Sequence, residues 1–173
     1  MAAAFVAAIS LLLSELRAHR ANTPLTDDEI REALLYLEAT LRHWQRLAER
    51  TNEAARRLDA AERDADARAD LIVFGSSNVA YGVEIGLPAF HDGRLASLIR
   101  IYAPNLLSVS DQMSERLETV QSALTWAAMG DDELDVDARR DLLSQLARTQ
   151  QGLDGAASEV AEFIRDAFPL GAS

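Results

Sequence analysis

Ser77, Asn78, His91 and Asp92 are the residues of this chain whose types and spacing could do chemistry. They sit in LIVFGSSNVAYGVEIGLPAFHDG (71–93), which holds four of the eight glycines. A serine hydroxyl, an amide and an adjacent His-Asp pair are the groups from which nucleophile, oxyanion donor and base are built. Irregular segments are where such groups collect. Nucleophilic catalysis also needs its base presented from another part of a folded framework. His91 follows Ser77 by only 14 residues, and no set of strands surrounds them to build a sheet.

Residues 71–78, Leu-Ile-Val-Phe followed by Gly-Ser-Ser-Asn, have the outline of a strand running into a nucleophile turn. Over those eight residues the chain resembles the first block of the SGNH esterases, a strand followed by Gly-Asp-Ser. Ser76 stands where that family has Asp, and the later Gly-x-Asn-Asp and Asp-x-x-His blocks are absent. A G-x-S-x-G elbow is also absent, since position 79 is Val. The glycines at 82, 86 and 93 have neither P-loop nor dinucleotide spacing, and the chain has no Lys to meet a phosphate. Glycine's access to positive φ and Pro88 as a breaker predict an irregular cap over 71–93. Within it, Ser77, Asn78, His91 and Asp92 are the candidate functional residues.

Metal chemistry finds little support. His19, His43 and His91 lie in separate segments, and none follows a Glu by three as di-iron bundles require. Glu15 and His19 are four apart, one such pair only. No H-E-x-x-H or EF-hand loop occurs, and DDELDVD (131–137) lacks the loop's Gly and closing Glu. No metal or cofactor is expected. With no Cys there is no thiol nucleophile, thiolate site or disulfide.

The elements that must position these residues are helical. Of the 173 residues 49% are apolar but only 6% aromatic, a bias toward Ala and Leu. All 17 basic residues are Arg. The net charge of −11 opposes binding to nucleic acid, whose phosphates need a positive surface. A single domain of this length can bury a real core.

PLTDDEI (24–30) is a helix start. Thr26 and Glu29 form a T-x-x-E capping box, Leu25 and Ile30 occupy the staple positions, and Asp27 and Asp28 add charge that suits the helix dipole. Ile30, Leu34, Leu37, Leu41, Trp44, Ala48, Thr51, Ala55 and Leu58 then keep four-three spacing, a coiled-coil-like seam. The predicted helix runs over 26–70, about 65 Å at 1.5 Å per residue, so it projects or pairs with another chain. Within this seam, Leu34, Leu37, Leu41, Trp44 and Leu58 are the expected interaction residues.

Phe5, Ile9, Leu12, Leu13 and Leu16 predict a buried helix over 3–20. Its apolar run, residues 2–13, covers only about 18 Å against the ~30 Å of a bilayer core. Arg17 and Arg20 just beyond it leave lipid contact by residues 2–16 as an alternative. Further helices are predicted at 94–103, 104–129 and 136–168, with Gly152 and Gly155 marking a kink or a close helix crossing.

The expectation is an all-α, antiparallel bundle of four main helices plus a short one, a single domain over 1–173. Its expected function is that of a non-enzymatic interaction, scaffold or adaptor module in the cytoplasm. It would act through self-association or docking of a partner protein's helix. The alternatives are a membrane-peripheral sensor or accessory domain, and a small-molecule-binding bundle that uses residues 75–93.

Overall fold

The structure, a computed structural model, describes residues 2–60, 93–129 and 136–169. These form helices α1 (Ala2–His19), α2 (Asp27–Ala60), α3 (Gly93–Tyr102), α4 (Asn105–Met129) and α5 (Val136–Ala167), with a 3₁₀ turn at Arg20–Asn22. The all-α bundle read from the sequence is what forms, and no strand occurs among the described residues. Residues 61–70 of the expected second helix, and the glycine-rich segment as far as Asp92, lie outside the described residues.

Helix α2 begins where its capping box requires. The Thr26 backbone N–H donates to Glu29 Oε2 at 2.9 Å, and the Glu29 N–H donates to Thr26 Oγ1 at 3.3 Å. Leu25 packs on the core that contains Ile30. Gly93, the first residue of α3, has φ +78°, a conformation that disfavours side chains. Pro104 separates α3 from α4 by two residues, and the Ala103 N–H still bonds to the Ile99 carbonyl.

The α2 seam closes on the chain's own helices. Ile30, Leu34, Leu37, Leu41, Trp44, Ala48 and Thr51 are all buried. Ala55 and Leu58 are outside the described side chains. Phe5 of α1 reaches Trp44 at 6.2 Å between ring centroids. Helix α5 packs more extensively against α2 than any other pair packs, and next against α1. The 34 described residues of α2 span about 51 Å and the 32 of α5 about 48 Å. Over these residues α5 lies along the rod, which was expected to project or to pair with another chain.

Side-chain partners give the directions. Phe5–Trp44 and Arg20–Asp27 make α1 antiparallel to α2. Arg42 bonds Asp154, while Arg20, beside the start of α2, bonds the carbonyl of Ala167, so α5 also opposes α2. Hence α1 and α5 run the same way, with Ala2 beside Gly152 and Ser10 beside Glu159. A groove lies between these two parallel neighbours.

Candidate functional site

Ser77, Asn78, His91 and Asp92 fall outside the described residues, so no geometry brings them together here. Leu34, Leu37, Leu41 and Trp44 are buried at 0–2% exposure, which commits them to the interior. Among the described residues no group of three His, Asp or Glu side chains converges as a metal set would. Arg42 ties α2 to α5. It keeps Glu38 at 3.9 Å within its helix and bonds Asp154 of α5 at 2.7 Å.

Among the described residues, a groove with polar walls lies between α1 and α5. An open groove of about 470 Å³ is lined by Ser10, Leu13, Ser14 and Arg17 from α1 and by Glu159, Glu162, Phe163 and Asp166 from α5. Spacings of three and four put each set on one helix face. Leu13 and Phe163 belong to the core and form the apolar floor. The Arg17 guanidinium lies over the Phe163 ring, 5.4 Å from its centroid, in cation–π contact. The Ser10 hydroxyl shares its one proton between the Val6 carbonyl at 3.0 Å and Glu159 Oε2 at 2.7 Å.

Beside the groove, α1 presents an uncharged outward face. Residues 2–14 include no ionisable side chain, and Ala3, Ala4, Ala7, Leu11 and Ser14 are exposed. Leu11 is 46% exposed, one of the large apolar side chains left in solvent. At the far end of α1 the chain is pinned. Arg20 pairs with Asp27, donates to the Ala167 carbonyl at 2.6 Å and stacks 4.3 Å from the centroid of Phe168. The hydrogen bond to Asp27 raises the Arg20 pKa, and the same bond lowers that of Asp27. Glu29 is lowered chiefly by the backbone and side-chain hydrogen bonds of Thr26.

Three side chains on α2, Arg31, His43 and Asn52, each have a buried polar atom without a hydrogen-bond partner. Asn52 is 5% exposed and its Oδ1 has no partner, and His43 Nε2 is likewise buried and unbonded. Burial first, then the charges of Arg46 and Arg50, pushes the His43 pKa down. None of the three lines the groove.

Sequence reasoning treated Arg17 only as a flank to an apolar run, and Glu159, Glu162 and Asp166 not at all. The three-four spacing of the acids was a readable signal. The pairing of α5 with α1, more than 130 residues away in the chain, was not. No family model, curated protein or solved structure matches this chain.

Proposed function

We propose that this chain is a non-enzymatic helical interaction module, a scaffold or adaptor that docks a protein helix on the face formed by α1 and α5. The observation that carries this reading is the uncharged outward strip of α1, with Leu11 46% exposed, beside an open groove whose core-bound floor is Leu13 and Phe163. A helix laid in such a groove buries apolar side chains while its flanks meet a polar rim, which is the helix-in-groove mode of recognition. The α2 seam supports the reading indirectly. Its apolar row is spent on the chain's own core, so docking falls to another face.

The test is a photo-cross-linker placed at Leu11, with Ile101 of α3, which is 50% exposed, as the control position. The reading expects a defined protein adduct from position 11 and none from position 101. No adduct at 11, or equal adducts at both, overturns it. Light scattering on the purified chain of 18.9 kDa then separates a second copy from a heterologous partner.

A second reading, lipid contact through α1, has one observation in its favour. The segment Ala2–Asn22 is long and apolar enough to cross a membrane by length and composition. Spanning would withdraw Phe5, Ile9, Leu12, Leu13 and Leu16 from the core, so lipid contact would be limited to the outward strip. That strip is mostly alanine, whose burial contributes little. Flotation with vesicles of phosphatidylcholine and phosphatidylglycerol tests it, using Ala4→Asp/Ala7→Asp rather than a truncation that would unfold the bundle. Binding that the double variant abolishes would favour lipid.

A further inference from the structure

We infer that the partner of the α1/α5 groove is a basic amphipathic protein helix whose arginine or lysine side chains pair with Glu162 and Asp166. This rests on the docking reading above and names the partner's chemistry.

The groove is electrostatically one-sided. Its α5 wall carries Glu159, Glu162 and Asp166 along about 10 Å of helix, while its α1 wall carries one cation, Arg17. That cation already faces the Phe163 ring, and Glu159 already accepts from Ser10. Glu162 and Asp166 each stand 3.9 Å from Arg165, beyond hydrogen-bond length and on a side chain 73% exposed, and they share the groove with Arg17. Their oxygens retain lone pairs for donors on an incoming helix. The neighbouring strip of Ala7, Leu11 and Ser14 has no charge to oppose that helix's apolar stripe.

The same charges argue against other occupants. Phosphate-bearing surfaces, whether nucleic acid or anionic lipid, meet three carboxylates here and a chain of net charge −11. A two-fold pairing that lays the α5 walls of two copies on each other brings like charges together. A cationic helix gains both favourable charge and apolar contact, and its association is steered by the field.

The probe is a fluorescein-labelled amphipathic peptide of about five helical turns, leucines at three-four spacing flanked by arginines. A twin carries glutamate for every arginine. Binding to the full chain is read by fluorescence anisotropy at low and high salt. We expect the basic peptide to bind more weakly at high salt, and the acidic twin not to bind. Glu162→Gln/Asp166→Asn should raise the Kd roughly three- to tenfold, the range expected of two rim charges. Ser14→Trp, which fills the groove from an exposed position, should abolish binding, with melting curves showing both variants folded. The inference is overturned if the basic peptide does not bind, if the twin binds equally, or if the double variant leaves Kd unchanged. Loss with Ser14→Trp but none with the double variant removes the basic partner and keeps the docking face. No loss with Ser14→Trp removes the face itself.

Discussion

Gly152 of α5 lies directly against Ala2 of α1: a Cβ added to Gly152 would stand 3.1 Å from the Ala2 Cβ and 3.6 Å from Val6 Cγ2. Glycine in mid-helix is costly, and here it lets two parallel helices approach where their groove begins. Gly155, three residues on, has open space where its side chain would be. The two glycines therefore predict opposite outcomes. Gly155→Ala should stabilise the chain by about 0.5–1 kcal/mol through helix propensity. Gly152→Leu should destabilise it by about 1–3 kcal/mol through overpacking. Thermal melts of the two variants check both signs.

Leu41 is fully buried at the middle of the α2 seam, and Leu35 on the same helix is 44% exposed. Leu41→Asp should cost about 3–5 kcal/mol by creating a cavity and burying an unpaired charge. Leu35→Asp should cost less than about 1 kcal/mol. Equal losses by urea unfolding would show that the seam is out of register.

The capping box should be visible in acid. Thr26→Ala should cost about 1 kcal/mol at neutral pH, the usual worth of such a cap. Asp27 and Glu29 have folded pKa values below those of the unfolded chain, held down by Arg20 and Thr26 respectively. Their stabilisation is present above the ordinary carboxylate range and is lost as pH falls through and below about 4. Arg20→Ala and Thr26→Ala should each flatten the fall of melting temperature in that window.

His43 acts at a higher pH with the same sign. Burial favours its neutral form, so the unfolded chain takes up the proton first as pH falls. Stability should decline from about pH 6.5 downward, a window separate from that of the carboxylates. His43→Leu should remove the slope between about pH 7 and 5 and cost little at pH 7, because Nε2 has no partner to lose. A slope unchanged in the variant would place its origin elsewhere.

Much of the fold was legible because local physics acts within one helix. The Thr26–Glu29 box, the buried row from Ile30 to Thr51 and the core face of α1 all follow from spacing and side-chain type. What the α2 row packs against was not legible: an apolar row reports that a partner exists, and over the described residues α5 of the same chain lies along it. The groove was illegible for a related reason. Ser10, Arg17, Glu162 and Asp166 are ordinary helix-surface residues until α1 and α5 lie side by side.

The sequence by itself determined the helices, their starts and the apolar faces they must bury, since these depend on residues within a few positions of one another. Only the tertiary structure decided which helix covers which face. Pairing across the chain is settled by the packing of the described helices together: Gly152 against Ala2, Trp44 against Phe5, Arg20 against the end of α5. The groove exists because α1 and α5 pack side by side and bring Ser10, Ser14 and Arg17 opposite Glu159, Glu162 and Asp166.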